Sequence, residues 1–250
     1  MNYKPYPENF WTKVDEIVQN LKANSSHPLI AAFDADGTLW DTDLGENFFQ
    51  YQIDHQCVSL PSKPFNYYHE LKKKSGDPRE AYMWLAQINK DQTITEVRKW
   101  SQAAYDELVP FPLFSEQKQL IDLFLQHQVQ IYIVTASVSW AVEPGAKALG
   151  IPIGNIVGVE TLIKNNLVTT EPVLPITYRQ GKADALLKRT NGVRPFFASG
   201  NTTGDTELLT SATHLRLAVS AASRDDQLFQ TENELKTIAD KNKWWSHRFI

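Results

Sequence analysis

The sequence predicts an α/β protein built on a parallel sheet, with a helical domain inserted after the first strand. Three observations carry that prediction. Short, continuous apolar runs recur at 28–34, 129–135, 195–199 and 214–220, and such runs read as strands buried on both faces. Helical patterns separate most of them, and that alternation is the mark of a parallel sheet. The long interval 35–128 breaks the rhythm, with several helical patterns and few strand signals.

The elements follow in order. Phe10, Trp11, Val14, Ile17, Val18 and Leu21 fall on one face of a helix over 8–23, where the apolar stripe reads as core packing. PLIAAFD at 28–34 is the first strand. The insertion is placed at 44–112, closed by the turn signal Pro110-Phe111-Pro112 and rich in aromatics such as Phe48, Phe49, Tyr68 and Tyr82. The parallel-sheet core then comprises 1–43 and 113–250. A helix over 116–126 leads into the strand VQIYIVT, and a further helix ends near Gly150. KADALLKRT is helical before the strand PFFAS, DTELLTSA is helical after it, and HLRLAVS is the last strand. Trp244 and Trp245 form either a packed tail or a dimer contact. A chain of 250 residues fits one core carrying a smaller insertion, at a prior of about 150 residues per domain.

Composition narrows the partners. Lys and Arg number 25 against 29 Asp and Glu, a formal charge of −4, with no basic run beyond Lys72, Lys73 and Lys74. Nucleic-acid binding needs clustered positive charge to neutralise phosphates, so none is expected. The single cysteine, Cys57, forms no intramolecular disulfide and fits a reducing compartment. The opening MNYKPYPENFW lacks the apolar run of a signal peptide, and no segment approaches the roughly 20 apolar residues of a membrane span. The expectation is a cytoplasmic protein acting on a small molecule, away from membranes, with its oligomeric state left open.

Ligands of open parallel sheets bind beyond the carboxyl ends of strands, and there the first strand ends in FDADGTLWD. Asp34 and Asp36 stand two apart at a turn that Gly37 permits. Two acids so close repel unless a cation joins them. Mg²⁺ would do so through carboxylate and carbonyl oxygens and substrate phosphate, leaving Asp34 as a nucleophile toward phosphorus. Taken alone, DADG is equally an Asp-rich turn. Its companions change the balance: Thr135 ends the second strand, Lys182 offers a point charge for phosphate, and Asn201 and Asp205 follow the third strand in GNTTGD.

FDADGT, IVTAS, the Lys182 segment and GNTTGD together resemble the four ordered motifs of the haloacid dehalogenase superfamily. The resemblance covers the core. It implies a Rossmann-like fold and a phosphoaspartyl mechanism in which Asp34 attacks the phosphoryl group and Asp36 protonates the leaving oxygen, then activates water. Thr135 and Lys182 would hold the phosphoryl group, and Mg²⁺ would be bound by Asp34, the Asp36 carbonyl and the first polar residue of the last motif. That residue is here Asn201, where an Asp is usual. Either Asn201 ligates through its amide oxygen, or the metal relies on Asp34, Asp205 and water. Asp36 favours phosphate chemistry over dehalogenation, which needs no acid at that position.

An insertion between the first and second motifs resembles the branch of phosphoserine and phosphocholine phosphatases, whose helical cap closes over the site. Trp40, Asp43 and Glu46 lie where the chain would enter that cap. Two acids and an aromatic ring suit a charged amine, and in phosphoserine phosphatases an acid at the position of Asp43 meets the substrate ammonium. The same acids also fit a helix cap, with Asp43 as N-cap and Glu46 at the third helical position. The expected function is Mg²⁺-dependent hydrolysis of a small phosphomonoester such as phosphoserine, phosphoethanolamine or phosphocholine. The alternatives are a phosphotransferase or phosphomutase, or a catalytically weak binding protein.

Overall fold

The computed structural model describes residues 3–25, 27–74 and 76–250. Helix α1 (Glu8–Asn24) precedes strand β1 (Ile30–Phe33), and α2 (Leu44–Asp54), α3 (Pro64–Lys74), α4 (Arg79–Gln87) and α5 (Ile94–Asp106) follow in succession. The chain continues through α6 (Ser115–Gln126), β2 (Gln130–Val138), α7 (Ser139–Ala148), β3 (Ile156–Val159), β4 (Thr161–Lys164) and β5 (Leu167–Pro172). It ends with α8 (Gln180–Arg189), β6 (Phe197–Gly200), α9 (Thr206–Ser211), β7 (Leu215–Ser220), α10 (Phe229–Lys241) and β8 (Trp245–Arg248).

Six strands form one parallel sheet in the order β3-β2-β1-β6-β7-β8. The predicted α/β parallel core is present. β1 is central, and its four residues are buried on both faces, which is why it reads as an unbroken apolar run. Phe33 lies level with Ile133 of β2 and Ser199 of β6. Asp34 and Asn201 therefore follow β1 and β6 directly, and Thr135 stands beside them in β2, two residues beyond Ile133, toward the carboxyl ends of the three neighbouring strands. Phe10, Val14 and Val18 of α1 recur every four residues and are buried in the core with Phe33, Phe114, Phe197 and Phe249.

Helices α2 to α5 gather around a second core that includes Phe48, Phe49, Tyr68, Ala86 and Val97. The chain leaves for them and returns from them side by side: the Asp41 N–H donates to the Pro112 carbonyl at 2.8 Å and that of Phe114 to Leu39 at 3.1 Å. The hairpin β4–β5, which the sequence did not signal, docks on these helices, with Asp91 N–H on the Val168 carbonyl and Val168 N–H on Gln92, both at 2.9 Å. Val138, Trp140, Val159 and Val168 complete the same core, so packing there extends beyond residues 44–112. The terminal segment containing Trp245 adds β8, an edge strand beside β7. Among the described residues no helix is long and apolar enough to cross a membrane.

Candidate active site

Asp34 follows β1 directly, and its N–H donates to Ser199 of β6 at 2.9 Å. The chain then turns back, with Thr38 and Leu39 N–H groups on the Ala35 carbonyl. Gly37 adopts φ +72 there, and a Cβ at that position would lie 2.1 Å from the Asn201 side-chain nitrogen. Only glycine allows the turn to press against Asn201.

Asp34 is 5% exposed and both of its oxygens are engaged. Lys182 Nζ lies 2.6 Å from Oδ1, and Thr38 Oγ1 donates to Oδ2 at 3.1 Å. Lys182 projects from the first turn of α8, which Gly181 lets close against the Ile176 carbonyl; a Cβ on Gly181 would meet that oxygen at 1.9 Å. The ammonium also meets Asp205 Oδ1 at 2.5 Å. Burial alone would lower its pKa, but Asp205 and Asp34 outweigh that and hold it above its usual range. For Asp34, burial is the larger effect: with repulsion from Asp205 it pushes the carboxyl up to about 7, against the pull of Lys182.

Asp205, expected as a metal ligand, has competing uses. Its Oδ2 accepts the N–H groups of Asn201 and Thr202, both at 3.1 Å, while Oδ1 holds Lys182. Among the described residues no three His, Cys, Asp or Glu side chains gather as a metal-binding group. The oxygens that do converge are Asp34 Oδ2 and Asn201 Oδ1, which lie 3.1 and 3.3 Å from the single hydroxyl proton donor of Thr38. Two acceptors sharing one donor leave lone pairs over, and a hard cation with an oxygen preference fits that surplus.

The Asp36 side chain shares no hydrogen-bond partner with Asp34 among the described residues. Its Oδ1 accepts from the Trp40 indole at 2.8 Å and from the Leu44 N–H at 2.9 Å, and its Oδ2 lies 2.6 Å from Ser137 Oγ. Burial raises its carboxyl and these donors lower it, with a net upward shift. Thr135 is buried and accepts the Ser137 N–H at 3.0 Å. β2 continues through Val138 before α7 begins, so the amides near Thr135 belong to an extended segment and not to a helix start.

A cavity of about 360 Å³ covers these residues, walled on the far side by Tyr68, Lys72 and Tyr82. That volume suits a small metabolite. Asp43 sits in its mouth and caps α2 by accepting the Glu46 N–H at 2.7 Å. Asp43 is exposed, and crowding by protein, then the nearby Asp36 and Glu46 charges, push its carboxyl upward. Glu46 pairs with Lys72 at 2.9 Å, and the Lys72 ammonium stands 4.3 Å from the Tyr68 ring centroid.

Trp40 corrects an expectation. It is fully buried in the main core against Phe111 and does not line the cavity; its indole N–H, which needs a buried acceptor, is spent on Asp36. Among the described residues the aromatic rings lining the cavity are Tyr68 and Tyr82, which the sequence reading counted among the aromatics of the insertion without assigning them to the site. Tyr68 and Lys72 are four apart on α3, a helical spacing that places them on one face. Ser137 and Glu232 were likewise not assigned to the site. Ser139 lies outside it, bonded to Glu160 at 2.6 Å.

Comparison with known proteins gives three findings. The family model of haloacid dehalogenase-like hydrolases matches residues 31–210. A phosphorylcholine phosphatase of Pseudomonas aeruginosa is 23% identical over an alignment covering 58% of this chain and 52% of that protein, so the chain spans about half of that relative's length. Among solved structures, a Bordetella pertussis protein of unknown function superimposes with a TM-score of 0.73 at 16% identity, over 89% of this chain and 99% of that one. A phosphoserine phosphohydrolase-like protein from Francisella tularensis gives 0.55 at 17% identity, over 88% and 94%.

Proposed function

The chain belongs to the haloacid dehalogenase-like hydrolases, and from that premise we propose that it is a phosphatase that cleaves a small phosphomonoester through a phosphoaspartyl intermediate on Asp34. The observation that carries the reading is the Asp34 carboxylate itself, buried at the end of the central strand, held by Lys182, and lying on the floor of a cavity of metabolite size. Mg²⁺, when bound at Asp34, Asn201 and the Asp36 carbonyl, supplies neutralisation of phosphate charge.

Asp34 forms a bond to phosphorus as the ester oxygen leaves. Lys182 and the Thr135 hydroxyl hold the equatorial oxygens, so the transferring group meets fixed donors and not mobile water. Asp36 gives its proton to the departing alkoxide, then takes one from the water that opens the phosphoaspartate. Phosphate is released and both carboxyls are restored. The upward shift of Asp36 suits a group that must start protonated. Its mobile proton sits at Oδ2, because Oδ1 faces two N–H donors that cannot reverse, whereas the Ser137 hydroxyl can donate or accept.

The alcohol portion of the substrate carries a positively charged amine, as in phosphoserine, phosphoethanolamine or phosphocholine. Support comes from Asp43 in the mouth and from Lys72, whose ammonium already rests between Glu46 and the Tyr68 ring; acid and ring together hold a cation. The name of the Pseudomonas aeruginosa relative points the same way. The test is phosphate release from a panel of amine-bearing and neutral esters, with and without Mg²⁺, by wild type and Asp34→Asn. Mg²⁺-dependent release confined to the wild type supports the mechanism. Absence of release from every ester at saturating Mg²⁺ overturns it.

A further inference from the structure

Asn201 and Glu232 are both almost fully buried, at 2% and 3% exposure, and they meet across 3.3 Å, Asn201 Nδ2 donating to Glu232 Oε1. Glu232 stands on α10 and cannot swing, because its Oε2 accepts the N–H groups of Ala221 at 3.1 Å and Ala222 at 3.0 Å. A carboxylate holding these donors has only acceptors to offer, so the amide must present its NH₂ to it. Its oxygen is thereby turned to the opposite side, 3.3 Å from Thr38 Oγ1 and next to Asp34. The reversed amide would set oxygen against carboxylate and bring an NH₂ to the place where acceptor oxygens converge.

We propose that Glu232 is the positioning residue that fixes the Asn201 amide with its oxygen toward Asp34, and that the two side chains divide between them what one carboxylate at 201 would supply. Asn201 brings the oxygen, and Glu232 keeps the negative charge one contact further out. The division explains why an amide is tolerated here: a carboxylate at 201 would face Glu232 directly, and like charges at that distance in a buried site repel strongly. The inference rests on the reading of Asn201 as a Mg²⁺ ligand. Partners that orient a ligand from behind are worth about 10- to 100-fold in metal affinity.

Calorimetric titration of Mg²⁺ into wild type, Glu232→Gln, Asn201→Asp and the double variant tests it. In Glu232→Gln the glutamine oxygen goes to the Ala221 and Ala222 amides, its NH₂ turns to Asn201, and the amide reverses; Mg²⁺ affinity falls about 10- to 100-fold. Asn201→Asp alone binds more weakly than wild type despite its added charge, because its carboxylate faces that of Glu232. In the double variant the glutamine NH₂ donates to the new carboxylate, and binding returns to the wild-type range. A merely structural role for Glu232 would leave the loss unrescued, and that result overturns the proposal, as does wild-type affinity in Glu232→Gln. If Glu232→Gln is too unstable to titrate, equal binding by Asn201→Asp and the double variant overturns it. Wild type that binds no Mg²⁺ removes instead the reading of the site on which the proposal stands.

Discussion

Ser137 Oγ lies 2.6 Å from Asp36 Oδ2, and among the described residues it is the one partner of that carboxyl able to follow a proton in both directions. The hydroxyl can donate to the carboxylate and accept from the acid, so it would steady Asp36 in each half of the proposed phosphoaspartyl cycle. Its bond also lowers the Asp36 pKa against the burial that raises it. Ser137→Ala should lower kcat about 10- to 100-fold, since proton transfer is where the loss falls. Asp36 must be protonated to act as acid, so kcat/KM falls on the alkaline side as it ionises; the variant, with the lowering bond gone, should carry that fall to higher pH. A pH profile that keeps its alkaline limb in place would remove Ser137 from the proton path.

Trp40 separates positioning from recognition. Trp40→Phe keeps a ring in the core beside Phe111 and deletes the N–H that holds Asp36 Oδ1. A residue that touched the substrate amine would raise KM for amine esters alone. The burial of Trp40 predicts the opposite split: kcat lower on every ester, p-nitrophenyl phosphate included, with KM for amine esters nearly unchanged. Steady-state kinetics on two substrates decide between them.

Legibility followed burial. β1, β2, β6 and β7 were visible because parallel strands covered on both faces read as apolar runs. β3 is four residues with a glycine, β4 and β5 are largely exposed, and β8 is a half-buried edge, so none offered a clear period. α10 shows only Leu235 and Ala239 as buried apolar residues among polar neighbours and was passed over with its Glu232. Within the site, Asp34, Thr135, Lys182 and Asn201 were legible from position after strands or at a helix start. Trp40 was misplaced because an aromatic between acids looks ligand-facing until the core that claims it is known. Glu232 had no local signal at all, since its role depends on a contact thirty-one residues away in the chain.

Lys182 is the one cation bonded to both Asp34 and Asp205 among the described residues. Removing it strands two buried carboxylates, and breaking a buried pair from one side costs about 3–5 kcal/mol. Lys182→Ala should therefore lose both phosphate release and a large part of its folding stability in urea titrations. Asp34, whose carboxyl burial already pushes up to about 7, takes up a proton in acid, so the deficit against wild type should shrink as pH falls. A deficit independent of pH would mean the lysine stem, not its charge, was what mattered.

The mouth of the cavity tests the amine hypothesis directly. Asp43→Asn and Glu46→Gln together remove the acids that would meet a substrate ammonium, and should raise KM for amine esters about tenfold or more, a scale set by charged hydrogen bonds of ~1.5–3 kcal/mol. p-Nitrophenyl phosphate should be unaffected. Lys72→Met is the informative counterpart, because it frees Glu46 and the Tyr68 ring of the cation they now hold. It should lower KM for amine esters. Equal effects of either change on both kinds of ester would exclude a cation seat there.

On the proposed reading, Mg²⁺ binding and pH are linked through Asp34. Burial first, and then Asp205, raise its carboxyl from 3.8 to about 7. Across that window the folded protein keeps a proton that the unfolded chain has already lost, so this group's contribution to stability falls as pH rises from 3.8 toward 7. A divalent cation binds the ionised form and competes with that proton. The rise in Tm on adding Mg²⁺ should be small near pH 5 and larger near pH 8, and Asp34→Asn, which cannot ionise, should show little rise at either. Melts at the two pH values, with Ca²⁺ as a second hard cation, measure this. The same Mg²⁺ shift at both pH values, or an undiminished one in Asp34→Asn, would place the cation away from the central strand.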